Sequence, residues 1–310
     1  MLIFIMRRIG AMVLTMVVVS ILLFVLLELQ PGNVATKVLG PYSSEEQREI
    51  WLEKNGYNDP LYERYFHWLG RAVVGDFGES IKYKTEVSEI LWPRLGNTAI
   101  LGAATMAVVI PLALVLGVLA GMREGSATDR SISVLSIVTT SVPEFASAPI
   151  LQAFFVFYLA LLPGTSSMIG GFNPVELILP VMVLVLYDFG YVTRMTRASM
   201  AEVMTTHYIR TAVLKGLPYK TVIVKHALRN ALIAPFTVVM LQINWLLSGV
   251  IVVEFFFAYK GFGFLILDAS LTGDIFMIEA CAMVAVFVAV ATQAIADIGY
   301  TYLNPRIRFS

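Results

Sequence analysis

Long apolar runs separated by shorter polar segments make up most of the chain, a pattern typical of helices that cross a bilayer. The first run, from Ile9 to Leu29, is about twenty residues long and can span the hydrocarbon core. It is longer than the apolar core of a signal peptide, so we interpret it as a retained membrane anchor. The pattern predicts an all-α integral membrane protein with six transmembrane helices. The other five spans are predicted at about Asn97 to Met122, Ile132 to Leu161, Val175 to Val192, Ala231 to Val253 and Ile278 to Tyr302.

Prolines inside two of these spans predict local changes of direction. Pro111 lies within the second span and is expected to kink it. Pro143 and Pro149 are expected to interrupt the third span. Neighbouring helices can satisfy the backbone groups that a proline frees, so these residues are compatible with membrane spans.

Residues 30–95 form a polar region between the first two spans, rich in tyrosine, tryptophan, glycine and charge. Ser44 followed by two acids has the character of a helix start. We predict short amphipathic helices from Glu45 to Lys54 and from Leu61 to Val74. His67 has no partner at metal-ligand spacing, so we interpret it as a surface or packing residue.

Composition supports a membrane protein and argues against a nucleic-acid-binding one. Hydrophobic residues make up 58% of the chain and charged residues only 14%, well outside the range of soluble domains. The formal net charge is zero, which gives no electrostatic basis for binding nucleic acid. The single cysteine, Cys281, can form no internal disulfide and is expected to act as a small buried hydrophobic residue.

Basic residues are distributed unequally between the two sides of the predicted spans. The short outer loops, residues 162–174 and 254–277, contain only Lys260, whereas the inner segments contain thirteen basic residues. This asymmetry predicts both termini in the cytoplasm and residues 30–95 outside. The thirteen residues are Arg7, Arg8, Arg123, Arg130, Arg194, Arg197, Arg210, Lys215, Lys220, Lys225, Arg229, Arg306 and Arg308.

The largest inner loop, about residues 194–230, contains a short segment with helix signals at both ends. Thr206 can accept a hydrogen bond from a free N–H of the first turn, as N-cap residues do. Gly216 can adopt the left-handed conformation that ends a helix, and Lys215 complements the helix dipole there. Pro218 cannot continue this helix but can begin the next one.

About ten helical residues cannot hold themselves together in water, so this segment must dock against something. Its docking face is predicted to contain Tyr208, Ile209, Ala212 and Val213, which share one side at helical spacing. The partner is either the rest of the chain or a separate subunit. The basic charge of the loop by itself also fits simple orientation or contact with anionic lipid headgroups.

The sequence lacks the common motifs for its own energy source or for catalysis. No Gly-Lys pair occurs, so there is no phosphate loop for nucleotide hydrolysis, and the H-E-x-x-H and G-x-S-x-G motifs are also missing. Active transport would therefore need a partner ATPase or an ion gradient. The second case, a secondary transporter, remains the alternative; such proteins usually show inverted repeats with broken helices.

The strongest resemblance to a known family lies in four stretches after the fourth span. They are Arg194 to Met200, Tyr208 to Ala212, Lys215 to Leu217 and His226 to Leu232. The resemblance covers nearly the whole chain and includes Leu29 to Gly32, Asp59 to Leu61, Gly75 to Gly78, Glu254 before Gly261 to Gly263, and the tail Asn304 to Arg308. Together these stretches closely resemble permease subunits of bacterial ABC importers, specifically the first permease of the dipeptide, oligopeptide and nickel group.

This resemblance implies a type I ABC importer permease fold with an extracytoplasmic domain between helices 1 and 2. The implied divisions are 1–29 for the first helix, 30–95 for the outer region, 96–303 for the transmembrane core and 304–310 for a cytoplasmic tail. The implied location is the bacterial inner membrane. The implied partners are a second, homologous permease, two cytoplasmic ATPases that bind ATP and Mg²⁺, an extracytoplasmic binding protein and membrane lipid. The chain itself is expected to bind no cofactor and no metal.

The same resemblance implies that the helix near residues 207–215 couples the permease to an ATPase. Aligned on Gly216, the acid of the general importer motif is replaced by Arg210, a departure that is characteristic of the peptide group. The ATPase-coupling residues that we predict are Tyr208, Ile209, Arg210, Thr211, Ala212, Lys215, Gly216 and His226.

Ionisable and amide residues inside the spans are candidates for the translocation path, because such groups are costly in lipid. Asp188 could take part in substrate binding or gating, or it could simply lie at the membrane interface. Glu144, which follows Pro143, could have a role in the path or could support a helix kink. Gln242 and Asn244 either line a cavity or form hydrogen bonds between helices. Two further acids, Glu279 and Asp297, are expected to be structural.

Overall fold

The computed structural model describes the backbone of residues 2–28, 31–169 and 171–303, and the side chains of residues 6–27, 34–169, 171–242 and 250–297. The described chain is almost entirely helical, with one isolated β-bridge between Glu79 and Glu86. The predicted tail, residues 304–310, lies outside the described residues. In chain order the α-helices are α1 (Leu2–Glu28), α2 (Pro31–Leu39), α3 (Glu45–Lys54), α4 (Leu61–Val73), α5 (Val87–Gly121), α6 (Ala127–Ser141), α7 (Glu144–Gln152), α8 (Ile178–Met204), α9 (His207–Leu214), α10 (Tyr219–Thr221), α11 (Leu228–Ala231), α12 (Ile233–Phe256), α13 (Phe262–Thr272) and α14 (Ile275–Leu303).

The apolar spans are present as helices. Four described helices are long and apolar enough to cross a membrane, and the number is six if each of two bent helix pairs forms one span. The predicted limits were too short for α5, which begins at Val87, and for α8, which continues to Met204. Arg194 and Arg197 therefore lie on a helix and not in the predicted loop. The apolar runs did not predict these ends, because a helix can continue through polar residues beyond the end of a span.

Only one of the prolines predicted to disturb a helix breaks it. The chain bends by 99° between α6 and α7, where Pro143 is the residue before α7. Pro149 lies inside α7, and α5 continues as a helix through Pro111. The predicted interruption is thus confirmed at Pro143 and wrong at Pro149. A π-helix, Ala153–Tyr158, extends α7.

The polar region contains the short helices that were predicted. Ser44 caps α3 through a capping box, in which its hydroxyl accepts from the backbone N–H of Gln47 and the Gln47 side chain accepts from the backbone N–H of Ser44. The second helix, α4, ends at Val73, and His67 on it is exposed to solvent. Helix α13, before the last span, was not predicted because its eleven residues are too few to cross a membrane.

The chain divides into two compact units. The first contains the chain up to Thr98 together with Lys260–Ala294. In this unit α4 packs on α1 through a hydrogen bond of 2.8 Å between Tyr65 and Ser20 and through the ring contact of Trp68 with Phe24. Trp68 Nε1 also donates to the buried carboxyl of Glu279 at 3.0 Å, which supports the structural role expected for that acid.

Two further features stabilise the first unit. The buried Cys281 belongs to an apolar cluster built by α5, α13 and α14, as expected for a small hydrophobic residue. Asp274, the residue before α14, accepts from Ser80 Oγ at 2.5 Å and from the Lys82 backbone N–H at 3.2 Å. Its other oxygen accepts from the Met277 backbone N–H at 3.3 Å, at the start of α14. This carboxylate joins the loop before α5 to the last helix.

Replacing Asp274 with alanine is therefore expected to destabilise the protein. The change removes a helix cap and leaves the buried Ser80 hydroxyl and the partly buried Lys82 N–H without this acceptor, at a cost of about 2 kcal/mol. A lower melting temperature of the purified protein would show it. Asp76→Ala is the matched control, because the Asp76 pair with Arg71 is half exposed and such pairs contribute little. Equal melting temperatures of the two variants would contradict this account.

The second unit contains Ala99–Tyr259 and the end of the last helix. Here α8 is the central helix, and glycines allow its close approach to two neighbours. A Cβ on Gly121 of α5 would lie 2.6 Å from the Arg197 carbonyl oxygen, and a Cβ on Gly190 of α8 would lie 2.1 Å from the Ser136 carbonyl oxygen of α6. Close backbone contact at small residues is the usual basis of helix packing in membranes.

Candidate functional site

The predicted capped segment is an eight-residue helix, α9, joined to the end of α8 by two threonines. Thr206 has the extended backbone of an N-cap, with φ −70° and ψ 150°, and its carbonyl accepts from the Arg210 N–H at 3.2 Å. The predicted side-chain cap is wrong, because Thr206 Oγ1 instead donates to the Val203 carbonyl at 2.6 Å. The hydroxyl thus ties the start of α9 back to α8.

The other end of α9 has the predicted geometry. Gly216 has φ +74°, and its N–H donates to the Val213 carbonyl at 2.9 Å. The Leu217 N–H donates to the Ala212 carbonyl at 3.3 Å, which completes a Schellman-type end. Pro218 then precedes α10, as expected for a residue that can only begin a helix. These bonds fix both ends of α9 with local interactions.

One face of α9 docks on its own chain. Ile209 and Ala212 are buried, and they pack in one cluster with Met200 of α8 and with Val222 and Ala227 that follow α9. The first of the two docking alternatives, contact with its own protein, is therefore present. Through this contact, α9 packs in the same apolar cluster as α8.

The remaining faces of α9 are exposed, including apolar residues that we predicted to be docked. Tyr208 is 41% exposed and Val213 51% exposed, so only two residues of the predicted four-residue face dock on this chain. Leu214 is 80% exposed. The polar coupling candidates Arg210, Thr211 and Lys215 are exposed as well. A helix outside the apolar spans that leaves several large apolar side chains in solvent has the character of a binding surface.

His226 lies on a later segment of the chain than α9. It belongs to a π-helix, Val222–Ala227, and with Tyr208 it lines a cavity of about 1480 Å³ in the second unit. Polar residues from α8 and from the segment after α9 line the same cavity, among them Glu202, Lys225 and Arg229. The structure thus brings Tyr208 and His226 to one cavity and places Arg210, Thr211 and Lys215 on the outer surface of α9. The sequence alone gave no sign of this cavity.

The intramembrane candidates Asp188 and Gln242 meet directly. Gln242 Nε2 donates to Asp188 Oδ1 at 2.6 Å, and both side chains are buried. For Gln242 this favours the hydrogen bond between helices over the lining of a cavity. Glu144 is the first residue of α7, directly after the bend at Pro143, and it interacts electrostatically with Asp188. Asn244 is on α12, and its side chain lies outside the described residues.

An ion pair with a buried carboxylate, at the α9 end of α8, was missed by sequence reasoning. Both oxygens of Asp129, at the start of α6, accept from the guanidinium of Arg197 on α8, and the Nη2 to Oδ2 distance is 2.8 Å. The Gly125 N–H donates to the same carboxylate at 2.8 Å. Only 3% of the Asp129 side chain is exposed. The pair fastens the loop between α5 and α6 to the helix that carries α9.

Among the described side chains, no group of three or more His, Cys, Asp or Glu residues could hold a metal ion. Comparison with known proteins shows which kind of protein this is. Residues 113–309 match the family model described as binding-protein-dependent transport system inner membrane component, and residues 1–102 match the model of its N-terminal region.

The chain belongs to this family of inner membrane transport components. It is 36% identical to the oligopeptide transport system permease protein AppB of Bacillus subtilis, over 94% of each chain. It is 33% identical to the probable peptide ABC transporter permease protein y4tP of Sinorhizobium fredii, over 99% of each chain. It is 30% identical to the glutathione transport system permease protein GsiC of Escherichia coli, again over 99% of each.

Family membership decides between the two transport mechanisms left open above. The protein is a multi-pass inner membrane protein and a permease subunit of an ABC importer. It is not an enzyme, since permease subunits have no ATPase site of their own. The family also implies ATPase and substrate-binding partners. The predictions of family, fold class and general function are thereby confirmed.

Proposed function

We propose that this permease forms half of the translocation path for a peptide-like solute and that α9 is its coupling helix. The observation that supports the coupling role is the two-sided character of α9. Ile209 and Ala212 bind it to its own chain, while Tyr208, Val213 and Leu214 remain exposed. A groove on an ATPase subunit would cover these exposed side chains. Movement of that ATPase would then move α9 and, through it, α8.

The geometry of α9 suits the transmission of force. Both ends are closed by backbone hydrogen bonds, and only two residues, Thr205 and Thr206, separate it from α8. Displacement of α9 would therefore be passed to a helix of 27 residues that packs against α6, α7 and α12. A flexible loop in the same place would absorb the movement.

The proposed assembly has two permeases, two ATPases that bind ATP and Mg²⁺, and a binding protein outside the membrane. We propose that both termini and α9 are cytoplasmic and that residues 30–95 are extracytoplasmic, on the distribution of basic residues. Six spans enclose little space for a solute path, which supports a second permease, and the peptide group favours a distinct chain over a second copy. The names of the relatives, for oligopeptide, peptide and glutathione transport, support a peptide-like solute.

Residues of the path itself are proposed from the buried polar groups of the spans. Asp188 and Gln242 connect α8 with α12, and Glu144 stands at the bend between α6 and α7. Asn244 is kept in the proposal on its sequence position alone, two residues after Gln242. Polar groups buried inside a membrane span are costly, which makes them candidates for a functional role.

Gly216→Pro is expected to abolish transport and to leave ATP hydrolysis independent of substrate. Proline cannot adopt the φ of +74° found at this position, and it removes the N–H that donates to Val213. The end of α9 would then be displaced from the ATPase groove. The measurement is substrate-stimulated ATP hydrolysis by the complete transporter in proteoliposomes.

Two further variants make this test decisive. Gly40→Pro is the matched control, since Gly40 also has a positive φ and a donating N–H but follows α2. Leu214→Glu changes only an exposed side chain, so the permease should fold normally while the ATPase no longer copurifies with it. Normal substrate stimulation of ATP hydrolysis in Gly216→Pro, or unchanged recovery of the ATPase with Leu214→Glu, would contradict the coupling role of α9.

A further inference from the structure

The cavity of the second unit has a polar part and an apolar part. Its volume of about 1480 Å³ is larger than the roughly 300 to 1,000 Å³ of ordinary small-molecule pockets. The polar side chains come from the end of α8, from α9 and from the segment between α9 and α12, and they include Ser199, Glu202, Tyr208, Lys225, Arg229 and Asn230. The apolar side chains come from α5, α8 and α12, and they include Ile110, Leu114, Met195, Ile233, Phe236 and Met240. Such a separation of polar and apolar lining suits a ligand that is itself amphiphilic.

The apolar lining belongs to segments that can lie in the membrane. It is contributed by two candidate spans, Val87–Gly121 and Pro174–Met204, and by Ile233–Gln242, the second half of a bent helix pair. Lys225 and Arg229 belong to the first half of the same pair, before its bend of 48°. The lining thus changes from cationic to apolar where α12 begins. This places the two basic side chains at the level of lipid headgroups and the apolar lining at the level of acyl chains.

The polar part of the cavity has an excess of positive charge. Lys225 and Arg229 are exposed and only four residues apart. Neither forms an ion pair or a side-chain hydrogen bond within the part of the chain that the structure describes. Glu202 is the one acid in the described lining, so two basic side chains against one acid leave a net charge of +1 when His226 is counted as neutral. A ligand with a single negative charge complements this lining.

From this lining we propose that the cavity binds one phospholipid with an anionic headgroup, of the phosphatidylglycerol class. The phosphate lies against Lys225 and Arg229, since basic pockets between transmembrane helices bind acidic lipid headgroups. The headgroup hydroxyls donate to Glu202, and an acyl chain packs on Ile233 and Phe236. This site goes beyond the transport function proposed above and does not depend on the coupling role of α9.

The apolar lining argues against a peptide-like solute as the occupant of this cavity. A peptide has an amide group at each residue, and an amide that loses its water needs a hydrogen-bond partner. Thr237 is the one polar residue in the described lining of α12, and its hydroxyl already donates to the Ile233 carbonyl at 3.2 Å. An acyl chain needs no such partner. The remaining alternative, a second permease packed over this face, is decided by the experiment.

The test is photo-crosslinking of the complete transporter in nanodiscs of phosphatidylcholine. The probe is a phosphatidylglycerol with a diazirine on one acyl chain, present as a small fraction of the lipid. The reference probe is a phosphatidylcholine with the same chain. Mass spectrometry measures the crosslinked fraction of the peptide that contains residues 232–240. We expect the phosphatidylglycerol probe to label this peptide at least about tenfold more than the reference probe does.

Two double variants separate a specific site from general attraction between a basic loop and acidic lipid. Lys225→Gln with Arg229→Gln should lower labelling by the phosphatidylglycerol probe about tenfold, to the level of the reference probe. Lys220→Gln with Arg123→Gln is the matched control, because it also removes two exposed basic side chains but neither of them lines the cavity. Labelling of the control should stay within about twofold of the unaltered protein. Equal losses in the two double variants would overturn the site.

The unaltered transporter gives a second, independent decision. Equal labelling of residues 232–240 by the two probes overturns the proposal, whether or not the variants fold. If a second permease covers the cavity, neither probe will label this peptide in the complete transporter, and that result also overturns the lipid site. Crosslinking needs neither ATP hydrolysis nor solute, and both faces of a nanodisc are accessible. The result therefore stands even if α9 proves not to bind an ATPase or the orientation is opposite to the one proposed.

Discussion

Gly190→Ala is expected to lower the stability of the permease by about 3 kcal/mol, through overpacking at a helix contact. A Cβ at this position would lie 2.1 Å from the Ser136 carbonyl oxygen and 2.2 Å from Thr140 Oγ1. The backbone oxygen cannot move without shifting α6, so α6 and α8 must separate. The contact lies in the packing that we propose transmits force, and transport should therefore fall together with stability.

The measurement is the apparent melting temperature of the detergent-purified protein, which should fall by roughly 5–10 °C. Gly102→Ala is the matched control. Gly102 is also a helical glycine in the second unit, but nothing lies within 4 Å of its Cβ position. Alanine there should leave the melting temperature unchanged or raise it slightly, because it is the better helix former. Indistinguishable melting temperatures for the two variants would show that α6 and α8 tolerate separation.

The contrast between these two glycines also shows the limit of sequence reasoning. Both occur within apolar helical segments, and the local pattern around them does not differ in kind. What separates them is the helix that packs opposite, α6 in the case of Gly190, about fifty residues earlier in the chain. Close approach between helices is a tertiary property, and a single sequence contains no local signal for it.

Structural features that depend on only a few neighbouring residues were predicted well. The end of α9 at Gly216 and the start of α3 at Ser44 follow from backbone geometry and capping within a few residues. The spans follow from the cost of unpaired backbone in lipid. The Thr206 side chain shows the limit of prediction from neighbouring residues. Its hydroxyl group could accept from a free N–H of α9 or donate to a carbonyl of α8, and the bond to the Val203 carbonyl is the one that forms.

The candidate site was only partly predictable for the same reason. The exposed and buried sides of α9 could not be assigned from spacing. Apolar residues that pack against the chain itself and apolar residues that remain exposed occur together on this one short helix. The cavity that Tyr208 and His226 share depends on how α8, α9 and α12 pack. Asp129 gave no signal at all, since its partner Arg197 lies 68 residues later in the chain.

Arg197→Leu is the second substitution with a large expected effect, a loss of about 2 to 3 kcal/mol of stability. Asp129 is almost fully buried, and without the guanidinium its charge would remain in a site with little water. The loop that carries Gly125, whose N–H shares the carboxylate, would be released from α8. Because α8 leads directly into α9, the proposed coupling to ATP hydrolysis should weaken as well.

A double variant separates the cost of an unpaired charge from the loss of the pair. Asp129→Leu combined with Arg197→Leu removes both charges, and replacement of a buried ion pair by apolar residues is often nearly neutral. The melting temperature should therefore recover most of the loss seen in Arg197→Leu alone. Arg194→Leu is the control, because Arg194 is exposed on the same helix and its change should cost less than about 0.5 kcal/mol. If the double variant is as unstable as the single one, the pair is needed for its geometry and not merely for charge balance. Comparison of substrate-stimulated ATP hydrolysis in the stable double variant then tests whether the link between α6 and α8 itself contributes to coupling.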